Sequence, residues 1–279
     1  MNLKDGVKTA ENKVSTEARR LSDMVKDKRK SLVDRLECFE DIISLEVGDT
    51  GLHRAKTLER EFDVRQLYLK YEGDNPTGTQ KDRIAFAQLY DALRRELSAV
   101  SLATCGNYGV AMALASDLAG VACKIYIPES YHTDRVIEME SLGAQIIRIP
   151  GSYEDVVTES SRLAAEHGWY DANPGGANTP LQISAYAQIA QEIFEDLGDA
   201  PKYCAVPVSN GTLFAGIYRG FVNLYKRGKT SRIPKMIAAS SAHKNPIVES
   251  YLQGLDHCKD LNPAAIKETK YNEKGMPLI

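Results

Sequence analysis

Lys81 stands in a run whose residue types suit chemistry: Glu72-Gly73-Asp74-Asn75-Pro76-Thr77-Gly78-Thr79-Gln80-Lys81-Asp82-Arg83. Before it, Val64 to Tyr71 is rich in β-branched, leucine and aromatic residues and predicts a strand. After it, Phe86, Leu89, Leu93 and Leu97 recur at helical spacing. The lysine therefore opens a helix, where partial positive charge favours acids and capping residues such as Thr79. A cation placed there suggests a task. A lysine amine held in a dry pocket near other positive groups loses basicity and can form a Schiff base with a carbonyl cofactor. Asn75, Pro76 and the two glycines would form a rigid turn that lets backbone approach a flat ring. On local physics alone, a solvated lysine beginning an ordinary helix is the simpler alternative.

Two further loops carry chemically useful residues. Ala103-Thr104-Cys105-Gly106-Asn107-Tyr108-Gly109 follows a strand pattern and opens a helix. Backbone N–H groups at a helix start, beside the Thr104 hydroxyl, suit a carboxylate, and Gly106 allows close approach. A plain strand-to-helix turn capped by Asn107 fits the spacing nearly as well. Cys105 reads as a small buried residue rather than a nucleophile. Val206-Pro207-Val208-Ser209-Asn210-Gly211-Thr212-Leu213 again joins a strand to a helix, the latter carrying Ala215, Ile217, Phe221 and Leu224. Small residues there let successive amides converge on a phosphate, with Ser209 and Thr212 adding hydroxyls. Gly228-Lys229-Thr230 has only the tail of a nucleotide-binding loop: Asn223 stands where the first glycine belongs, and no strand precedes it. The histidines at 53, 132, 167, 243 and 257 lack H-x-x-x-H spacing, so no metal site is expected.

The elements that must position these loops alternate between short apolar runs and helical stretches. Strands are predicted at Ala99 to Ala103, Ala122 to Ile127, Gln145 to Ile149, Gly168 to Ala172, Tyr203 to Val208 and Lys235 to Ser240. The helices between them end at Gly120, Gly143, Gly168 and Gly198, and one begins at Pro180 with Thr179 as N-cap. This α/β alternation implies mainly parallel sheets, with ligands at the carboxyl ends of strands. Residues 1 to about 37 are highly charged. A helix starting near Ser15 or Thr16 would carry Leu21, Met24, Val25, Leu32 and Leu36 as a narrow stripe, suited to docking on the body or on a second subunit. No helical pattern is recognisable after about Gly254.

At 279 residues, two domains are expected. Lysine and arginine number 35 against 38 acidic residues, a net charge of −3, which removes the electrostatic reason to expect nucleic acid or anionic membrane as partners. Five scattered cysteines argue against a disulfide framework and a cysteine zinc site. With no signal peptide or membrane span recognisable, the expected compartment is the cytoplasm.

Asn75 to Arg83 resembles the Asn-Pro-Thr-Gly-Ser-Phe-Lys-Asp-Arg signature of threonine synthase and its relatives among the fold type II pyridoxal phosphate enzymes. The resemblance runs from about Glu46 to Val248. It includes Gly48-Asp49-Thr50-Gly51-Leu52, where Gly51 replaces the usual proline, Tyr218-Arg219-Gly220-Phe221, and Asn245-Pro246-Ile247. It implies pyridoxal 5′-phosphate as cofactor and Lys81 as its aldimine lysine. It assigns substrate-carboxylate binding to Thr104, Cys105, Gly106 and Asn107, with Asn107 also touching the cofactor's ring hydroxyl. Phosphate binding falls to Ser209, Asn210, Gly211, Thr212 and Leu213, where Ser209, Thr212 and Leu213 depart from the family's Val-Pro-Val-Gly-Asn-x-Gly-Asn loop. The implied fold is a two-domain parallel-sheet α/β structure. Residues 1–40 would form a charged helical extension, 41–98 with 179–279 a discontinuous large cofactor domain, and 99–178 a small domain.

Two departures shape the functional expectation. In Tyr170-Asp171-Ala172-Asn173-Pro174-Gly175-Gly176, Asp171 and Gly176 stand where threonine synthases place an Asn-Ser pair and an arginine that grip the substrate's phosphate. An unphosphorylated small amino acid, met by Asp171 and altered at its β or γ carbon, is therefore expected. Family members also continue into a strand whose Ser or Thr bonds the pyridine nitrogen. No such segment is found, so either the chain is truncated or its tail has diverged. The expected activity is that of a lyase or transferase. One alternative is the pyridoxal subunit of 2-amino-4-ketopentanoate thiolase, which joins alanine to acetyl-CoA with a small partner subunit. The other is a catalytically silent regulatory or binding subunit. A homodimer or a hetero-oligomer is expected.

Overall fold

The structure, a computed structural model, describes residues 14–240 and 245–259. Helices α1 (Thr16–Lys26) and α2 (Leu32–Glu46) lead into a small antiparallel ribbon, β1 (Leu52–Arg54) with β2 (Tyr68–Lys70), bracketing the short α3 (Lys56–Glu61). A 3-10 turn (Glu72–Asp74) and the loop after it deliver the chain to α4 (Lys81–Arg94). An alternating series follows: β3 (Ala99–Ala103), α5 (Asn107–Ala119), β4 (Ala122–Pro128), α6 (Arg135–Ser141), β5 (Gln145–Ile149), α7 (Tyr153–His167) and β6 (Tyr170–Asp171). Last come α8 (Thr179–Leu197), β7 (Tyr203–Pro207), α9 (Thr212–Lys226), β8 (Lys235–Ala239) and α10 (Pro246–Leu252).

Four strands form a parallel sheet in the order β5-β4-β3-β6, and β7 pairs in parallel with β8. Such sheets need apolar cover on their faces. β3 is buried along its whole length, with Val100 and Leu102 in the main core and Ala103 in a second cluster with Tyr126 and Val156. α5 and α7 supply this cover: on α5 Val110, Met112, Leu114 and Leu118 are buried, as are the alanines between them, and on α7 Val156 and Ala164. Because α5 opens directly after β3, its amino end lies at the carboxyl edge of the sheet, where a ligand site is expected. Gly120, Gly168 and Gly198 close α5, α7 and α8 in left-handed conformations.

The described elements correct four local expectations. The single amino-terminal helix is two helices: α1 ends at Asp27 and Ser31 caps α2 afresh. The strand expected over Val64 to Tyr71 shrinks to Tyr68–Lys70, since Gln66 takes positive φ of 56° and breaks the extended run. Thr179 lies inside α8, with Asn178 as N-cap and Pro180 in the first turn; the Thr179 hydroxyl instead accepts from the Gly175 N–H at 2.8 Å. Asn107 is the first residue of α5 rather than its cap.

Among the described residues, no helix is long and apolar enough to cross a membrane, and no group of three His, Cys, Asp or Glu side chains could hold a metal.

Candidate active site

The loop before α4 is fixed by its own side chains. Buried Asn75 accepts the Gly48 N–H at 3.0 Å and donates to the Glu72 carbonyl at 3.0 Å. Thr77 donates its hydroxyl to Asp82 at 2.9 Å, and its N–H reaches the same carboxylate at 3.0 Å. Gly78, at φ 81°, makes the turn that a side chain would strain. Arg83, with no exposed side-chain surface, is gripped by Glu72 and by Glu192 of α8, each at 2.6 Å; Lys70 adds a 2.7 Å pair to Glu192.

Lys81 is the first residue of α4. Its N–H meets the Thr79 hydroxyl at 3.2 Å, although the cap position itself falls to Gln80. Its Nζ lies 5.6 Å from the centre of the Tyr108 ring and 5.9 Å from that of Tyr186. Burial pushes the amine below the usual lysine range, and no carboxylate among the described residues counters it. A lysine so placed holds its amine less basic than one on the surface, the condition a nucleophilic amine needs.

The Thr104–Asn107 loop meets this lysine through Tyr108, the next residue. Gly106 is the backbone cap of α5 and makes no side-chain cap bond; its own N–H donates to the Thr104 hydroxyl at 3.4 Å, and the Gly109 N–H to the Gly106 carbonyl at 2.9 Å. A Cβ added to Gly106 or Gly78 would meet nothing within 4 Å. Asn107 is exposed, Cys105 and Gly106 are half-buried and Thr104 is buried. Burial raises the Cys105 thiol above its ordinary pKa, which disfavours the thiolate.

At the Ser209–Leu213 loop, Gly211 caps α9 at φ 81°, with no side-chain cap, and Asn210 accepts the Thr212 N–H at 3.2 Å. Ser209 and Asn210 are exposed and Leu213 is half-buried. Asn245 braces the loop by donating to the Val208 and Ser209 carbonyls at 3.0 and 2.9 Å. α9 then packs along α8, where Gly216 lies against Tyr186, so the helix leaving this loop bears on the tyrosine beside Lys81.

Asp171 is placed differently. Its Oδ1 accepts the backbone N–H and side-chain amide of Asn173 at 2.9 and 2.8 Å, and Asn173 in turn bonds Ser160 and Ser161 of α7.

Sequence reasoning passed over Tyr108, Gln88, Gln182, Tyr186 and Glu192. A signal existed in α8: Gln182, Tyr186, Ile189 and Ile193 recur at helical spacing, which puts a glutamine in an apolar stripe.

A family model described as pyridoxal-phosphate dependent enzyme matches residues 43–275. The chain belongs to that family. It is 30% identical over 230 residues to the threonine synthase of Methanocaldococcus jannaschii, covering 82% of this chain and 55% of that protein. It is 30% identical over 218 residues to the threonine synthase of Mycobacterium leprae, covering 77% and 60%. The chain thus spans little more than half the length of these curated relatives. A crystal structure of a pyridoxal 5′-phosphate-dependent aspartate racemase superposes with a TM-score of 0.67 at 24% identity, over 86% of this chain and 70% of the racemase. Maize serine racemase gives 0.67 at 21%, over 81% and 66%. At that identity the likeness carries the fold, a fold type II α/β architecture. The family's cofactor is pyridoxal 5′-phosphate, and the residues present fit it. A buried amine with no carboxylate partner among the described residues lies 5.6 Å from the ring of Tyr108 in the first turn of α5, and a left-handed glycine opens α9 without a side-chain cap.

Proposed function

We propose that this chain converts a small unphosphorylated amino acid at its β or γ carbon, as a lyase or transferase. The observation that carries the substrate class is the Asp171–Gly176 segment. Oδ1 of Asp171 is held by Asn173, and its Oδ2 would lie 3.4 Å from a Cβ built on Gly176, so a carboxylate occupies the space beside the position of the resembled family's arginine. A phosphate brought there would meet negative charge without a bidentate clamp.

When bound, pyridoxal 5′-phosphate supplies an electron sink for negative charge developing at the α carbon. Lys81 would hold it through Nζ, and Ser209 to Leu213 would hold its phosphate with amides, hydroxyls and the amino end of α9. Thr104 to Asn107 would orient the substrate's carboxylate on the start of α5, Asn107 also reaching the cofactor ring. Lys81 would also move the proton at the α carbon, a task suited to an amine whose basicity burial has lowered. Residues 99–178 would form the small domain and 41–98 with 179–279 the large one.

The same requirement for an unphosphorylated substrate favours one specific member reading, the pyridoxal subunit of 2-amino-4-ketopentanoate thiolase, working with a small partner subunit. Steady-state assays should compare O-phosphohomoserine with D- and L-alanine, the alanines with acetyl-CoA and candidate partner. Loss of an arginine clamp costs about 2 kcal/mol, roughly thirtyfold in kcat/KM, so phosphohomoserine should be the poorer substrate by at least that factor. Efficient threonine formation from it would overturn the proposal. Absence of turnover with every amino acid, in protein that binds the cofactor, would favour a silent subunit.

A further inference from the structure

We propose that Tyr108 and Tyr186 are positioning residues for Lys81, their ring faces forming a clamp that holds the amine for reaction with an aldehyde. The inference rests on Lys81 being the cofactor-capturing lysine. The two rings come from different helices, α5 and α8, and approach Nζ to 5.6 and 5.9 Å. Each is fixed by contacts remote from the lysine. The Tyr108 hydroxyl donates to the Ala172 carbonyl at 2.8 Å and bonds Gln88 Nε2. Gln182 Nε2 closes this buried polar layer, donating to the same carbonyl at 3.1 Å and to Gln88 Oε1 at 3.2 Å. Tyr186 follows Gln182 by one turn of α8 and is wedged by α9, since a Cβ on Gly216 would come within 2.5 Å of its own Cβ. Gln88, Gln182 and Tyr186 have no exposed surface.

Two π faces do what a carboxylate could not. A carboxylate beside the lysine would hold it as an ammonium ion, which has no lone pair to offer. Ring faces attract an ammonium ion by only about 0.5–2 kcal/mol and still wall in the neutral amine. The amine is thus aligned in both protonation states. In the covalent step the neutral nitrogen adds to the aldehyde carbon, a C=N bond forms, and the aldehyde oxygen leaves as water. Neither oxidant nor reductant is involved.

The test compares affinities of the cofactor-free chain for two ligands. Pyridoxal 5′-phosphate can bond to Lys81; pyridoxine 5′-phosphate has the same ring and phosphate but an alcohol in place of the aldehyde. The affinity ratio isolates capture by Lys81 from filling of the pocket. Lys81→Ala should bring the ratio close to one; an unchanged ratio in that variant would remove the lysine assignment itself. With that control in place, Tyr108→Leu and Tyr186→Leu should each lower the ratio tenfold or more while leaving pyridoxine phosphate affinity within twofold. Tyr108→Phe, which keeps the ring, should retain the ratio within threefold. An unchanged ratio in both leucine variants, or equal losses for both ligands, would overturn the clamp and leave the tyrosines a packing role. Far-ultraviolet circular dichroism identifies any variant that fails to fold, and Tyr108→Met or Tyr186→Met then replaces it under the same criteria.

Discussion

Arg83 shows how a buried charge is compensated by its partners. Removing a guanidinium from water is expensive, and the expense is offset only when the partners are close and numerous. Glu72 and Glu192 meet that condition, each presenting both oxygens to the guanidinium. For Glu192, burial works against the charged form, but hydrogen bonds from Arg83 and Lys70 outweigh it and bring the carboxyl down to about 2. A depressed carboxylate stabilises the fold above its ordinary pKa, 4.5, and loses that contribution as pH falls toward about 2. Glu192→Gln should therefore destabilise by about 2–3 kcal/mol at neutral pH. The difference between wild type and variant in urea unfolding should be flat from pH 7 to about 5 and shrink below pH 4.5. A gap that persists undiminished at pH 3 would show that Glu192 acts by packing instead. At Tyr186 the sign reverses. Its hydroxyl is buried with no hydrogen-bond partner among the described residues, so Tyr186→Phe should leave stability unchanged or raise it by about 1 kcal/mol. A loss above 1 kcal/mol in urea titration would reveal a partner for that hydroxyl.

The contact between α8 and α9 depends on two residues without side chains. Gly216 and Gly220 are four apart on α9, and a Cβ at Gly220 would come within 2.5 Å of the Ala187 carbonyl and 2.6 Å of the Ala190 Cβ. Gly220→Ala should cost about 1–3 kcal/mol by overpacking, although alanine is the better helix former by about 1 kcal/mol. Urea midpoints decide, and a stabilised variant would mean that the helices can part at little expense. This seam also separates what was readable in sequence from what was not. All six strands expected after Lys81 occur, the one expected over Gly168 to Ala172 reduced to Tyr170–Asp171; the other five are short apolar runs closed by glycine or a turn. The three candidate ligand loops were readable for the same reason, since strand, small residues and helix start are contiguous. The tyrosine and glutamine layer was not readable. Gln88 meets Tyr108 across 20 positions and Gln182 across 94, and Arg83 reaches Glu192 across 109. No local period encodes such contacts. The amino-terminal stripe was misread as continuous because its apolar spacing persists through Asp27 to Ser31, where the backbone leaves the helix and is capped anew.

Across the molecule, the amino-terminal helix and the candidate site share one element, α5. α1 buries Ala18, Leu21 and Val25, and its Ser22 hydroxyl donates to the Leu118 carbonyl at 2.9 Å. Lys26 pairs with Asp117 at 3.1 Å. These contacts fall on the last turn of α5, and Thr104 to Asn107 lie at its first. Leu21→Asp should release α1, since a lone carboxylate in that seam costs several kcal/mol, and cleavage by trypsin at exposed Lys28 and Arg29 should accelerate. Unaltered cleavage would show that α1 does not depend on this docking. The two ends are reciprocal wherever docking of α1 and binding at the first turn require the same form of α5. A ligand that requires α5 in its docked form raises the free energy of α1 release by RT ln(1 + [L]/Kd), about 2.7 kcal/mol at a hundredfold excess over Kd. Where opening is fast relative to cutting, that is roughly a hundredfold slower proteolysis. The scissile bonds at Lys28 and Arg29 then serve as a gauge of occupancy at the far end of α5, readable on a gel with no chromophore and no turnover.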